Sequence, residues 1–372
     1  ITDTLAVAGD KQEVHLPTIE EPIKGNPKLE SVLDQLVNAG QTKGPSAITT
    51  FAGQRAIDFV DNCVKVVIEA NPGELEAARE EAVALGAEVE ASYENLIRVV
   101  IPVSALTDLA NNPSVRFVRQ PQKPDLHVVS EGVSLIKADD WQIAGFTGAG
   151  VKVGIIDEGY TGYTALLGTE LPSSVVVQSF GTYGIEGLTS HGVACAEIVH
   201  DVAPDAQLYL TNIDDEIDFA NAVDWLIAQN VDIISCSLGW SVGGPGDGTG
   251  PIDDKVADAR SAGILWVNSA GNYAQGHWMG NWVDADSDGW LDFVSAPSYE
   301  TNDIYAETGD YIYLTLKWND PWDYSNNDYN LYLWNPAMDG YWISNAMQDG
   351  DIHPYEAILI EAPYTGYYHI AI

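Results

Sequence analysis

Positive charge is scarce in this chain. It has 16 Lys and Arg against 55 Asp and Glu, which gives a formal net charge of −39. A surface this acidic repels the phosphates of nucleic acids and anionic membranes, so neither is expected as a partner. It suits a protein that binds cations or works in salt or heat, and it equally suits one that is acidic for solubility alone.

Cysteine and long apolar runs are also limited. The three cysteines, Cys63, Cys195 and Cys236, do not make a disulfide framework, and the last two lie in apolar runs typical of small core residues. No apolar run reaches the ~18–20 residues that a membrane-spanning helix needs. The sequence therefore predicts neither a disulfide scaffold nor a membrane span.

Basic residues are almost absent from the C-terminal part of the chain. After Arg260 the only Lys or Arg is Lys317, whereas sixteen Asp and Glu and eight of the 11 tryptophans follow Arg260. This change in composition marks a separate module, which we place at residues 281–372. Its short strands, separated by Asp, Asn, Pro and Gly, predict an all-β sandwich or jelly roll.

The N-terminal third predicts a small α+β unit. Residues 1–62 form an extension with one amphipathic helix over 27–39. Over residues 63–120 the predicted order is strand, helix, strand, strand, helix, strand, which is the ferredoxin-like motif. Residues 121–134 carry Pro121 and Pro124 among polar residues and are expected to form an exposed linker.

Residues 135–280 alternate between apolar strands and helices. The run over 151–156 is nearly continuously apolar, as in a strand buried on both faces of a parallel sheet. The alternation predicts an α/β fold in which helices cover both faces of that sheet. Functional residues of such folds lie at the carboxyl ends of the strands, where Asp157 and Asn272 are predicted to lie.

Three short segments carry residues of catalytic type. Asp157 ends an apolar strand, His191 begins a predicted helix, and Asn272 closes Ser269-Ala270-Gly271-Asn272. With a serine nucleophile, the aspartate would orient the imidazole, the imidazole would take the hydroxyl proton, and the amide would stabilise the oxyanion. Taken singly, Asp157 is more often a turn residue and His191 a helix-start residue, but their order and placement together favour catalysis.

These segments resemble those of the subtilases, the subtilisin-like serine peptidases. The resemblance covers about residues 131–275 and rests on four segments: 147–157, 190–194 with Ala203-Pro204 after it, 235–239 and 269–272. Two residues depart from the family pattern, Glu158 where Thr or Ser is usual and Val193 where Thr is usual. The resemblance implies a subtilisin-like domain whose catalytic residues include Asp157, His191 and Asn272.

The resemblance also implies a substrate and a form of regulation. A protein or peptide substrate would bind along Ser237, Leu238 and Gly239 and beside Ala270 and Gly271. Residues 63–120 would be a propeptide that inhibits its own enzyme, and cleavage would fall in the linker. The protein would then be a secreted, extracellular zymogen, of unknown substrate preference.

The serine nucleophile is not found in this sequence. No serine after Asn272 follows Gly-Thr or opens a predicted helix. The all-β module is therefore expected to be an insertion between Asn272 and a serine beyond Ile372, and this segment alone is expected to be inactive. The alternative is a non-catalytic, calcium-binding surface or assembly protein on a peptidase scaffold.

One acidic loop predicts a structural calcium ion. Its carboxylates alternate with other residues around a glycine turn, as in the first half of a calcium loop: Asp284, Asp286, Asp288 and Asp292. Ser295 stands where such a loop usually has a bidentate glutamate, so a solvated acidic turn is the alternative. A second acidic group, Asp320, Asp323 and Asp328, is a weaker candidate.

Overall fold

The computed structural model describes residues 25–55, 57–122, 125–126, 132–273, 276–295, 298–350 and 352–372. The start of the predicted extension and half of the predicted linker lie outside these ranges. The described residues form two compact units. The first contains 25–90, 94–120 and 273–372, and the second contains 91–93 and 121–272.

The N-terminal part of the first unit is an antiparallel sheet covered by helices. Its elements are α1 Ser31–Lys43, α2 Pro45–Gln54, β1 Phe59–Val60, β2 Cys63–Ala70, α3 Leu75–Ala84, β3 Glu88–Tyr93, β4 Leu96–Pro102, α4 Leu106–Ala110 and β5 Val115–Arg119. The strand order is β1-β2-β4-β3, and β5 also pairs with β2. The predicted order of strands and helices over 63–120 is the order observed.

One face of this sheet and its helices share a single apolar core. Successive side chains of a strand point to opposite faces, so Val66 and Ile68 of β2 contact the core that Leu33 and Leu36 of α1 also fill. Glu69 therefore lies on the other face of the sheet. The described part of the predicted extension thus packs into the same core as residues 63–120.

The second unit is an α/β fold. Its elements are β6 Asp125–Leu126, α5 Ala138–Ile143, β7 Lys152–Asp157, β8 Val176–Ser179, α6 His191–Val202, β9 Gln207–Asn212, α7 Glu216–Ala228, β10 Ile233–Cys236, β11 Leu238–Gly239, α8 Pro251–Ser261 and β12 Leu265–Asn268. The five longer strands form a parallel sheet in the order β12-β10-β7-β9-β8. The predicted parallel sheet is therefore present, with β7 at its centre.

Two apolar cores cover the two faces of this sheet. Val153 and Ile155 of β7 pack with Val193 and Ala196 of α6. On the other face, Ile156 belongs to the core that α7 and α8 fill. Because β7 is buried on both faces, the side chain at its carboxyl end is placed in the interior, and that side chain is Asp157.

The C-terminal part of the first unit contains two main antiparallel sheets. Its strands are β13 Val294–Ser295, β14 Ser298–Tyr299, β15 Asn302–Ala306, β16 Tyr311–Lys317, β17 Leu331–Trp334, β18 Tyr341–Ser344, β19 Tyr355–Glu361 and β20 Gly366–Ala371. The sheets have the orders β15-β20-β17-β18 and β16-β19. Leu333 and Tyr368 of the first and Ile312 and Ile360 of the second share one apolar core. None of the helices in the described ranges has the length and apolarity to cross a bilayer.

Candidate active site

The structure brings Asp157 and His191 into direct contact. Asp157 ends the central strand and His191 begins α6, and His191 Nδ1 lies 2.7 Å from Asp157 Oδ2. Both residues are buried, and Asp157 is 0% exposed. The other carboxylate oxygen accepts a 2.9 Å hydrogen bond from the backbone N–H of Glu158. A carboxylate held in this way favours the imidazole tautomer with its proton on Nδ1, in which Nε2 is the basic nitrogen.

Close backbone approach makes this contact possible. A Cβ on Gly192 would lie 2.7 Å from the carbonyl oxygen of Gly159 and 2.8 Å from Asp157 Cβ. The N–H of Gly192 instead donates to that carbonyl oxygen at 3.0 Å. Gly192 therefore lets the first turn of α6 approach the end of β7, which places His191 beside Asp157.

Cys195 lies one helical turn after His191. Its Sγ is 3.9 Å from His191 Nδ1. Ligand atoms of Asp157, His191 and Cys195 lie within 4.8 Å of one another, a spacing that could hold a metal ion. Burial raises the pKa of this thiol to about 11, so the thiolate that metals prefer is disfavoured at neutral pH. The apolar run around Cys195 predicts only a core residue, although the spacing of four residues from His191 along a helix indicates that the two side chains are close.

The segment around Asn272 follows β12 at the same edge of the sheet as Asp157, because the strands are parallel. The N–H of Ser269 donates to the carbonyl oxygen of Cys236 at 3.1 Å, which ties this segment to the end of β10. Asn272 is exposed. Within the described residues no hydrogen bond joins it to Asp157 or His191, so the structure places it at this edge without direct contact to the pair.

The predicted substrate strand carries a partner from the predicted linker. Leu238 and Gly239 of β11 pair antiparallel with Leu126 and Asp125 of β6. Ser237, which precedes them, is half-buried, whereas Ala270 is exposed and Gly271 adopts a φ of 85° in the turn before Asn272.

The expectation of an exposed linker is wrong for its first residues. The side-chain amide of Gln122 donates to the carbonyl oxygen of Val242 at 3.1 Å, and its backbone N–H donates to Glu216 Oε2 at 2.9 Å. Trp240 Nε1 donates to the carbonyl oxygen of Gln122 at 3.4 Å. An extended backbone beside a free strand edge finds donors and acceptors there, which composition alone does not reveal.

Three of the four predicted calcium ligands lie together. Carboxylate oxygens of Asp284, Asp286 and Asp288 lie within 4.8 Å of one another. Asp284 also accepts hydrogen bonds from the N–H groups of Ser287, Asp288 and Gly289 at 2.7, 3.2 and 3.1 Å. Asp292 is outside this group, and its carboxylate accepts from the N–H of Ala285 at 2.8 Å. Three carboxylates on one tight loop fit a hard cation with oxygen ligands.

The weaker acidic group is used differently. Asp320 accepts hydrogen bonds from Ser325, Asn326 and Asn327. Asp323 pairs with Arg116 Nη2 at 2.7 Å.

Part of the chain is similar in sequence to known serine peptidases. Residues 148–306 match the model of the subtilase family of peptidases. Subtilisin E of Bacillus subtilis is 29% identical over 197 residues, which cover 48% of this chain and 50% of that protein. The minor extracellular protease of the same species is 25% identical over 236 residues, or 54% of this chain and 35% of that protein.

The chain thus spans half or less of the length of these two relatives. Among solved structures, the epidermin leader peptide processing serine protease of Staphylococcus aureus aligns over 59% of this chain and 65% of its own, with 12% identity and a TM-score of 0.39. Residues 148–306 of the chain are similar in sequence to the subtilase family, the subtilisin-like serine peptidases.

Proposed function

We propose that this chain is part of the precursor of a secreted serine endopeptidase. The observation that carries the proposal is the 2.7 Å contact between buried Asp157 and His191 in a segment of subtilase sequence. Asp157 orients His191, His191 is general base and then general acid, and Asn272 donates to the oxyanion. The proposal places the nucleophilic serine outside residues 1–372, because no serine in them fits the family motif.

The proton movements follow from the pair's geometry. The Nδ1 N–H of His191 donates a hydrogen bond to Asp157. His191 Nε2 therefore removes the proton of the serine hydroxyl as the serine oxygen attacks the peptide carbonyl. The carbonyl oxygen becomes negative and accepts a hydrogen bond from the Asn272 amide. His191 Nε2 then gives the proton to the departing amine, and a water molecule repeats the sequence to release the acyl group.

A protein or peptide substrate would bind in extended form. Ser237, Leu238 and Gly239 would pair with its backbone, and Ala270 and Gly271 would let it approach closely. The antiparallel pairing of β6 with β11 supports this proposal, because an extended peptide would use the same backbone groups.

Residues 63–120 would act as a ferredoxin-like propeptide that inhibits the enzyme. Their order of strands and helices is that of the ferredoxin-like motif, which supports the proposal. The chain that follows them lies against β11, where it would block a substrate until the linker is cut between about 120 and 134.

Secretion and calcium complete the proposal. One relative is an extracellular protease by name, which supports export of this protein as well. Asp284, Asp286 and Asp288 would hold a structural calcium ion, with Asp292 supporting the loop through Ala285.

A serine-reactive fluorophosphonate probe tests the proposal. After the linker is cut, the natively purified product should be heavier than residues 135–372 and should gain one probe adduct per molecule. His191→Ala should abolish labelling, whereas His200→Ala, at the other end of α6, should preserve it. A product with the mass of residues 1–372 and no adduct would contradict the proposal and favour the non-catalytic scaffold.

A further inference from the structure

The β module contacts the α+β unit within the first compact unit. We use β module for the described residues of 276–372 and α+β unit for those of 25–120. The contact has three parts: a polar contact at α1, a buried ionic cluster, and an ion pair at its exposed rim. Each part joins residues that are more than 200 positions apart in the chain.

The polar contact links α1 to the end of β18. Ser31 Oγ donates to Asn345 Oδ1 at 3.0 Å and accepts from the N–H of Asn345 at 3.1 Å. Gln35 Nε2, one turn later, donates to the carbonyl oxygen of Ile343 at 3.0 Å. Two successive turns of α1 therefore dock on the same strand end of the β module.

The ionic cluster centres on Glu69, on the face of β2 away from the helices. Its carboxylate receives Arg119 Nε at 2.7 Å and lies 3.3 Å from His353 Nε2 of the β module. The ring centroids of His353 and Trp322 are stacked 4.7 Å apart. Glu69, Arg119 and His353 are all buried. A buried carboxylate without partners is unfavourable, and one of the two partners of Glu69, His353, belongs to the β module. The α+β unit alone therefore lacks one of the groups that stabilise the Glu69 carboxylate.

The pKa of the Glu69 carboxyl follows from this geometry. Burial alone would raise the pKa of its carboxyl, but His353 and Arg119 together lower that pKa well below its usual range. The β module therefore contributes directly to keeping this carboxylate charged.

The rim pair joins opposite charges of the two parts. Arg116 Nη2 lies 2.7 Å from Asp323 Oδ1, and the side chains are 23% and 46% exposed. Eight of the 16 Lys and Arg of the chain lie in residues 25–120, whereas the β module has only Lys317. The contact thus sets a cation of the α+β unit against an acidic side chain of the β module, and opposite charges across a contact favour specific association.

A small cavity lies between described residues of the two parts. It is about 10 Å³ and is lined by Glu30 and Phe117 on one side and by Ser344, Tyr355 and Glu356 on the other. That volume holds about one water molecule at most. Phe117 is 4% exposed although it does not belong to the core of the helix-covered face.

We propose that the β module is a docking surface for the α+β unit of its own chain and keeps that unit bound after the linker is cut. The proposal rests on the proposed function only for the cleavage that precedes release. Activation would then need the loss of this contact as well as cleavage of the linker. The module would in this way set the rate at which the inhibitory unit departs.

Retention after a controlled cut tests the proposal. The full chain would carry His191→Ala, a recognition site for a sequence-specific protease in the linker, and an N-terminal tag. After cleavage, the dissociation rate of the tagged fragment is measured by surface plasmon resonance. Arg116→Asp and Asp323→Arg should each speed dissociation by about tenfold or more, and the combined variant should restore most of the retention.

Matched charge changes away from the contact serve as controls. Glu76→Arg and Arg79→Asp alter an ion pair on exposed helix α3 by the same charges and should leave the rate unchanged. A second comparison avoids charge: Gln35→Ala should speed dissociation several-fold, whereas Asn38→Ala, on the exposed side of α1, should not.

Several results would overturn the docking proposal. The first is immediate loss of the fragment after cleavage of a chain whose contact residues are unchanged. The second is a dissociation rate that the single charge reversals leave unchanged. The third is a folded double reversal that fails to restore retention. The readout needs no peptidase activity. In the chain with His191 intact, retention of the fragment without any reaction with a serine probe contradicts the proposed function alone. Reaction with the probe in a chain that sheds the fragment at once contradicts the docking alone.

Discussion

At the scale of single residues, the proposed chemistry depends on how Asp157 is held. The carboxylate has no exposed surface, one oxygen faces His191 Nδ1 and the other accepts from the Glu158 N–H. Glu158, which departs from the family pattern, donates this hydrogen bond through its backbone N–H. Its side chain is therefore not needed for the bond. The Asp157 carboxylate, itself held by a backbone N–H, therefore helps to orient His191.

Replacing this carboxylate should remove most of the activity. In Asp157→Asn, the amide would no longer select the tautomer with its proton on Nδ1, and a loss of about 10⁴-fold in kcat is expected, as in other Ser-His-Asp triads. The measurement is hydrolysis of a chromogenic peptide by the mature enzyme. Asp201→Asn, an exposed change on the helix that carries His191, should keep full activity. Equal activity in both variants would contradict the role of Asp157.

A methyl group at Gly192 should weaken both the fold and the site. The added Cβ would meet the Gly159 carbonyl oxygen and Asp157 Cβ, so Gly192→Ala should lower the free energy of unfolding by about 1–3 kcal/mol. Denaturant unfolding followed by circular dichroism measures the change. Gly53→Ala is the matched control, because a Cβ there meets nothing within 4 Å inside helix α2. A neutral Gly192→Ala would show that the approach of α6 to β7 is not tight.

At the scale of elements, strand positions follow from apolar patterning, whereas helix ends follow from local partners. The apolar pattern predicts strands over 88–93, 96–102, 115–119 and 207–212, and these are the bounds of β3, β4, β5 and β9. The helix predicted over 27–39 instead begins at Ser31, because Lys28 and Glu30 pair with Val118 of β5.

Three further elements show the same limit. Helix α7 begins at Glu216, three residues before the start at Phe219 that its apolar pattern predicts, because the Asp215 carboxylate caps it through the N–H groups of Ile217 and Asp218. Helix α2 and strand β15 were not predicted, since neither has a clear apolar period. Local patterning identifies elements that bury one regular face and misses those held by their surroundings.

The acidic loop 284–292 gives a prediction at this scale. With calcium bound to the native state alone, the protein should gain about 2.7 kcal/mol at a free calcium concentration 100 times the Kd. The thermal midpoint should therefore rise with calcium and fall with a chelator. The double change Asp286→Asn and Asp288→Asn should remove this response, and Asp349→Asn, an exposed change elsewhere in the β module, should keep it. A response that survives the double change would place calcium elsewhere.

At the scale of the whole molecule, the buried ionic cluster makes stability depend on pH. The pKa of Glu69 is lower in the folded state than its ordinary value of 4.5, because His353 and Arg119 outweigh the effect of burial. The unfolded chain therefore binds more protons in acid, and this contribution to stability is present above about pH 4.5 and is lost progressively as the pH falls below that value. Two charged neighbours interact with the same cluster: Asp323 Oδ1 lies 3.4 Å from His353 Nδ1, and Arg116 interacts electrostatically with Glu69.

Unfolding experiments across this range check the expectation. Glu69→Gln should cost about 3 kcal/mol at pH 7, because it leaves Arg119 and His353 without their carboxylate, and the cost should shrink toward pH 3. Glu76→Gln, on exposed α3, should follow the wild-type pH dependence. A pH-independent cost for Glu69→Gln would mean that Glu69 titrates with an ordinary pKa in the folded protein.

Local sequence patterns were enough to predict the α/β fold with its parallel sheet and to single out Asp157 and His191. Asp157 ends an apolar run and His191 precedes a glycine at a helix start, and each segment carries such features by itself. Which distant groups meet depends on the tertiary structure. Leu126 pairs with Leu238, and Asp323 binds Arg116 rather than joining an acidic cluster. These partners are set by how sheets and helices pack, and the period of a single segment does not encode that packing.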